Sequence, residues 1–220
     1  MFNKKKQMPE TSNSIWDQFL IIKNFKQNPL LSALLQGYEG ENLIGYTYID
    51  HEQGITLEIL KLFTENNEDF IATKDFVADR SRAILRFEQF SQMNFEIANT
   101  EYIKSLETEI PGYLKNYQKK DLEFFRTEKA YDKFRTPGFP DDIQILLIDN
   151  KNSPELIWAR VESYNNESKT GISTLIVQPH QNFSLNKNDD LIFKLMMINN
   201  QQYPVGIIEN KPKKKRWKFW

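Results

Sequence analysis

The side chains best suited to proton transfer near neutral pH are two histidines, His51 and His180. His51 stands in a turn-like insert, where we expect it to be solvated. His180 is close in sequence to Ser184 and Asp190, so a Ser-His-Asp arrangement can be drawn from the three. Ser184 lacks the Gly-x-Ser-x-Gly context of a nucleophile elbow. The sequence therefore favours a non-catalytic role for His180, and a catalytic base remains the alternative.

Adjacent carboxylates occur as Asp141-Asp142 and Asp189-Asp190. Such pairs can do acid/base work when their environments push the two pKa values apart. Each pair falls in a segment with turn character and polar neighbours, so we expect solvated or turn-capping carboxylates. The chain has no cysteine, no His-x-x-x-His and no glycine-rich phosphate loop. We therefore predict neither a metal site nor a cofactor.

Charge is segregated along the chain. Residues 1–7 and 211–220 hold 9 of the 29 Lys+Arg and none of the 30 Asp+Glu. The body between them carries 20 basic and 30 acidic residues, a formal charge of −10. An acidic body repels nucleic acid and bilayers and suits a basic protein partner. Nucleic acid is therefore an unlikely partner of the body.

The C-terminal tail, residues 209–220, interleaves basic and aromatic side chains. Each Lys or Arg near an anionic leaflet contributes ~1 kcal/mol, and Trp and Phe partition into the interface. The same composition suits single-stranded nucleic acid, by phosphate contact and stacking, or a solubilising tail without a partner. The residues predicted to contact an anionic surface are Lys213, Lys214, Lys215, Arg216, Trp217, Lys218 and Trp220.

No run of apolar residues approaches the length of a transmembrane helix, and Lys4–Lys6 are not followed by the apolar stretch of a secretory signal. We expect a cytoplasmic bacterial protein, with membrane association through the tail as the alternative.

Local patterns predict an α+β protein with a mixed N-terminal region and a small antiparallel sheet or barrel at the C-terminus. Asn28 and Pro29 begin a short helix, and two strand-like blocks around residues 50–54 form a hairpin. The expected regions are 1–14, disordered and basic; 15–110, mixed α/β; 111–135, a helical connector; 136–208, small and β-rich; and 209–220, the tail.

The middle of the chain changes to a helical period at Phe95, which with Ala98, Tyr102, Ile103 and Leu106 defines one predicted helical face. A second helical stretch is predicted to run to about Phe134. Beyond a dense turn signal at residues 136–142, five short strand-like blocks follow. They are residues 143–148, 156–161, 172–177, 191–197 and 203–208.

Residues 134–207 resemble a group of uncharacterised bacterial small domains, over about a third of the chain. Val177-Gln178 and Asn188 depart from the group, which often has Asn-Glu and Gly there. The matching residues are Pro140-Asp141-Asp142, Pro154-Glu155, Trp158-Ala159-Arg160-Val161, Gly171, Pro179-His180-Gln181-Asn182-Phe183 and Asn188-Asp189-Asp190.

The resemblance implies a fold and a partner class rather than a reaction, because it carries no catalytic residue set. Some relatives resemble immunity proteins of bacterial toxin systems. Ordinary structural roles also fit these residues: Phe183 would pack beneath the following turn, and Asp189-Asp190 would stabilise it. The candidate binding residues are Asp141, Asp142, Trp158, Arg160, His180 and Gln181.

The sequence thus favours a non-enzymatic, immunity-like or adaptor protein that binds a basic partner through its acidic body. Two alternatives stay open. One is an enzyme with a pocket near His180 in the C-terminal domain, and the other is a peripheral membrane protein tethered by its tail.

Overall fold

The structure, a computed structural model, describes residues 15–66 and 69–208. The chain divides into two compact units, Met1–Gln118 and Lys119–Trp220. Each unit combines strands with short helices, so the predicted α+β class is confirmed. Residues 1–14 and the tail, including every residue predicted to contact an anionic surface, lie outside the described residues.

The first unit is built on a six-stranded antiparallel sheet in the order β4-β3-β2-β1-β6, with β5 also paired to β3. Its two long central strands carry apolar side chains on both faces, because helices and loops pack on both. The strands are β1 (Phe19–Ile22), β2 (Asn42–Asp50), β3 (Gly54–Asn66), β4 (Asp69–Asp75), β5 (Ala83–Arg86) and β6 (Glu96–Ile97).

The predicted hairpin is the β2–β3 pair. Asp50 Oδ1 accepts hydrogen bonds from the backbone N–H groups of Glu52, at 3.1 Å, and Gln53, at 3.2 Å. Gly54 then has φ +75°, which a glycine adopts without a steric penalty. The turn chemistry read from the sequence is therefore confirmed.

Helices of the first unit are short. Asn28 caps the helix that begins at Pro29, as predicted, because its Oδ1 accepts from Leu30 N at 3.0 Å and Leu31 N at 3.2 Å. The helices are α1 (Pro29–Leu34), α2 (Phe87–Phe90) and α3 (Thr100–Ser105), with 3-10 segments at Phe25–Gln27 and Gly112–Tyr117.

The helical face predicted from Phe95 is wrong in extent. Residues Glu96–Ile97 form β6, and α3 begins only where the Asn99 side chain accepts from Tyr102 N at 3.1 Å. Phe95 packs against one apolar cluster, whereas Ala98, Tyr102 and Leu106 belong to another. The apparent helical spacing therefore combined a strand with a short helix.

The second unit begins with helical segments that are each no longer than six residues. The prediction of helical structure up to Phe134 is confirmed in type, although it is broken into several pieces. They are a 3-10 segment at Lys120–Leu122, α4 (Glu123–Thr127) and a 3-10 segment at Lys129–Phe134.

The rest of the second unit is a closed five-stranded barrel. Its strands form a meander, and a parallel pairing of Val205 with Leu146 joins the last strand to the first. All five predicted strand blocks are present. The strands are β8 (Phe139–Leu147), β9 (Glu155–Asn165), β10 (Thr170–Leu175), β11 (Asp190–Ile198) and β12 (Gln201–Ile207), and β7 (Arg135–Thr136) pairs with β8.

Inward-facing side chains fill the barrel and alternate with outward-facing ones along each strand. Ile143, Ile145 and Leu147 are the inward apolar residues of β8, and Phe193 is the inward residue at the middle of β11. Within residues 15–66 and 69–208, no helix has the length and hydropathy needed to cross a bilayer.

Candidate functional site

Asp141 is buried at one end of the barrel and is paired with Arg126 of α4. Arg126 Nε and Nη2 donate to the two carboxylate oxygens, each at 2.8 Å. The side chains are only 6% exposed for Arg126 and 3% for Asp141. This bidentate geometry is the strongest form of the ion pair. The expectation of a solvated carboxylate is therefore wrong, because β8 already includes Asp141 and its side chain is inward.

Asp142 points to the opposite side of β8, since adjacent strand residues face opposite ways. Its carboxylate accepts from Arg160 Nε at 2.8 Å and Nη2 at 3.0 Å. Arg160 lies directly across from it on β9. The expected solvated or turn-capping role is wrong here too, and the two adjacent carboxylates cannot act on one substrate atom together.

Trp158 lies on β9 two residues before Arg160 and on the same outer face of the barrel. It is half-buried, and its register partner on β8 is Gln144. The structure thus brings Trp158, Arg160 and Asp142 onto one surface. It places Asp141 away from that surface, inside the barrel.

His180 and Gln181 join two loops of the second unit. Glu155 accepts from the backbone N–H of His180 at 2.8 Å and from that of Gln181 at 3.2 Å. The Gln181 amide bonds to the backbone of Ser153 in both directions, at 3.0 and 2.7 Å. Gln181 therefore holds the loop before β9 against the loop after β10.

The Ser-His-Asp arrangement drawn from the sequence has no counterpart in the hydrogen bonding of these loops. Asp190 accepts from Thr174 Oγ1 at 3.1 Å, across the β10–β11 pair. The exposed imidazole of His180 hydrogen-bonds to nothing in the part of the chain that the structure describes. Asp189 accepts from Asn186 N at 2.8 Å, so its expected turn-stabilising role is confirmed, whereas Asp190 bonds to Thr174 instead. Phe183 is buried in the apolar core of the barrel.

A third polar cluster, absent from the sequence-based candidates, surrounds Glu58 of β3. Arg82 Nε donates to Glu58 Oε1 at 2.8 Å and Arg82 Nη2 to Oε2 at 2.7 Å. The hydroxyl of Tyr113, from the 3-10 segment Gly112–Tyr117, also donates to Oε1. We call Glu58, Arg82, Tyr113 and Tyr48 the Glu58 cluster, because Tyr48 accepts from Arg82 Nη2 at 3.3 Å.

In the Glu58 cluster, the carboxylate is buried and the guanidinium is partly exposed to solvent. The Glu58 side chain is 2% exposed, whereas that of Arg82 is 46% exposed. Acid/base chemistry at Glu58 would first have to break its bonds to Arg82 and Tyr113. The exposed part of Arg82 can contact an anion without disturbing the pair. The sequence feature that could have indicated this cluster is a glutamate, Glu58, inside the largely apolar strand of residues 55–62.

Two tyrosines on this face of the sheet, Tyr46 and Tyr48, are buried, whereas Tyr113 is partly exposed. Burial, together with the neighbouring charge of Asp17, raises the pKa of Tyr46 to about 12. Burial is also the main cause that raises the pKa values of Tyr48 and Tyr113, with Glu58 adding to both. These groups therefore stabilise the fold only in their protonated form.

Alkaline titration should separate Tyr46 from ordinary tyrosines. Because its pKa in the folded state lies above the ordinary value of 10.0, its contribution is intact below about pH 10 and is lost as the pH rises through about 12. Tyrosinate absorbance of the wild type minus that of Tyr46→Phe should show one tyrosine with a midpoint near 12. Circular dichroism at each pH establishes that the chain is still folded. A difference midpoint near 10 would contradict the burial of this hydroxyl.

In residues 15–66 and 69–208, no group of three or more His, Cys, Asp or Glu side chains could hold a metal ion. In comparisons with known proteins, no family model matches the chain. No curated protein and no solved structure matches it either.

Proposed function

We propose that this chain is a non-enzymatic binding protein, immunity-like or adaptor in type, whose first unit docks a basic protein partner. The observation that carries the proposal is where the acidic charge resides. Residues 15–118 contain 16 Asp+Glu and 9 Lys+Arg, a formal charge of −7. Residues 119–208 contain 12 and 11, a formal charge of −1. Seven of the ten excess negative charges of the body therefore belong to residues 15–118.

Part of that charge is concentrated around one lysine. Lys23 Nζ lies 3.2 Å from Glu65 Oε1 and 3.6 Å from Glu96 Oε1. The hydroxyl of Tyr102 also donates to Glu65, at 3.2 Å, and Glu101 is the residue before it in α3. A single cation thus faces two carboxylates, with a third close by in the chain. We call Glu65, Glu96 and Glu101 the acidic rim.

An exposed carboxylate surface of this kind favours rapid capture of a basic protein. Complementary charge raises association rates well above those of neutral surfaces, and its effect falls with ionic strength. The ion pairs of Asp141 and Asp142 contribute little to such steering, because each is neutralised by its own arginine. The resemblance of residues 134–207 to domains found with immunity proteins fits a basic partner such as a toxic nuclease.

The test begins with affinity capture from the native host, using the full chain and a chain that ends at residue 210, followed by mass spectrometry. A basic protein captured by both chains is the expected result. Capture of membrane lipid or membrane proteins by the full chain alone would instead favour tethering through residues 211–220. Failure to recover any basic protein would count heavily against the proposal.

Charge variants then locate the contact on the captured partner. The rim variant Glu65→Gln/Glu96→Gln/Glu101→Gln is expected to slow association about tenfold, and the loss should shrink at high salt. The matched control, Asp121→Asn/Glu123→Gln/Glu167→Gln, removes the same charge from exposed positions of the second unit. It should change the rate less than about twofold. Equal slowing by both variants would show that net charge, and not the acidic rim, governs binding.

A further inference from the structure

Three isoleucines form a row across the outer face of the barrel. Ile192 on β11 lies directly opposite Ile172 on β10 and opposite Ile207 on β12. Directly paired strand residues present their side chains on the same face. The three side chains are 45%, 41% and 45% exposed for Ile172, Ile192 and Ile207. We call this row the isoleucine ladder.

The ladder is a contiguous apolar patch outside the core, and the largest such patch on a protein surface is often functional. Single exposed apolar residues are common, but contiguous ones mark interaction surfaces. A partner cannot join β11 as an additional strand, because β11 is already paired with β10 on one side and β12 on the other. Anything that covers the ladder must therefore pack face to face against it.

Opposite charges flank the ladder on its central strand. Asp190 and Lys194 lie two residues before and two residues after Ile192, so all three share the outer face of β11. Lys194 and Asp190 are both exposed. On the Asp190 side the next charges, Arg160 and Asp142, are already paired with each other. Among residues 15–66 and 69–208, neither Asp190 nor Lys194 forms an ion pair, so the two flanks carry one charge each, of opposite sign.

We propose that the isoleucine ladder is the contact surface of a homodimer, with a twofold axis through Ile192. In such an interface a residue before the axis meets a residue after it on the partner. When the two β11 strands run antiparallel face to face, Asp190 of each copy lies opposite Lys194 of the other. The isoleucine ladder of one copy then packs on the isoleucine ladder of the other, and the dimer contains two Asp190–Lys194 pairs. This self-complementarity is what selects a second copy as the occupant.

The interface is small, since three isoleucines expose an apolar area of the order of a few hundred Å². Interfaces of that size form weak, concentration-dependent complexes. The dimer is therefore expected in the micromolar to millimolar range of protein concentration, and it is independent of the basic partner proposed for the first unit.

Sedimentation of the full chain over that range tests the proposal through charge reversal. Asp190→Lys should weaken association about tenfold or more, because each substitution appears twice in a twofold interface and opposes like charges. Lys194→Asp should do the same. The double variant Asp190→Lys/Lys194→Asp should restore association, because it recreates both pairs with their signs exchanged.

Substitution at the axis gives a second, independent measurement. Ile192→Lys and Ile192→Glu should abolish association equally, because residue 192 faces its own copy and either charge meets itself. Ile71→Lys is the matched control, an isoleucine of the first unit that is 50% exposed. It should associate like the wild type.

Three outcomes would overturn the homodimer. One is a wild type that stays monomeric throughout the range, and another is a dimer that Ile192→Lys leaves intact. The third is a chain ending at residue 208 that dimerises far more tightly than the full chain, which would make the chain's own tail the occupant.

Discussion

Replacement of Asp141 by alanine is expected to lower the free energy of unfolding of the second unit by about 3–5 kcal/mol. The reason is that Arg126, which is almost fully buried, would lose both of its hydrogen bonds to the carboxylate. A guanidinium cannot discard its proton to escape the cost of burial. Urea unfolding read by hydrogen–deuterium exchange in β8–β11 measures the change for this unit alone.

Two variants show whether the unpaired charge of Arg126 causes the loss of stability. The double variant Arg126→Met/Asp141→Leu removes both charges while keeping volume, and it should recover most of the lost stability. Asp142→Ala is the matched control, because its partner Arg160 is 18% exposed and can reach water. It should cost clearly less than Asp141→Ala. Equal costs for the two aspartates would show that burial of the arginine does not set the penalty.

The elements that sequence patterns predicted well are those with local causes. Apolar alternation predicted the five strands of the barrel. The Asn28 cap predicted the helix at Pro29, and Asp50 and Gly54 predicted the β2–β3 hairpin. Each of these signals acts within a few residues. The helical face expected from Phe95 failed because an apolar spacing cannot show that a two-residue strand interrupts it.

The polar clusters depend on contacts that no local pattern contains. Asp141 and Asp142 were expected in a turn, since Pro137 and Gly138 precede them, but the turn closes before β8 begins at Phe139. Their arginines come from elsewhere in the chain. Glu58 meets Tyr113 across 55 residues of sequence. Such pairings follow from topology, and topology is what a single sequence reveals least.

Contacts within the folded chain also decide which of the predicted binding residues can still contact a partner. Gln181 is engaged in holding two loops together, and Asp141 is sealed inside the barrel. Trp158 and Arg160 share the outer face of the barrel and are partly exposed, so they keep the predicted binding role as a hypothesis. The acidic rim and the isoleucine ladder emerged only when strand register placed distant residues together.

Gly171→Ala is expected to destabilise the second unit by about 3 kcal/mol, at the upper end of the cost of overpacking. A Cβ atom added at Gly171 would lie 2.2 Å from Cε1 and from Cζ of Phe193, its direct partner across the β10–β11 pair. The Phe193 ring is fully buried and contacts the rings of Phe125 and Tyr131, so it has little room to move. The same exchange measurement on β10 and β11 reads the effect.

A variant that relieves the collision from the side of Phe193 tests this cause. Phe193→Leu alone removes packing from the barrel core and should itself be destabilising. In the double variant Gly171→Ala/Phe193→Leu the cost should be clearly less than the sum of the two, because the added methyl group no longer meets a ring. Gly112→Ala is the matched glycine control, since nothing lies within 4 Å of its added Cβ. Strict additivity in the double variant would mean that Gly171 is required for a reason other than the space that Phe193 occupies.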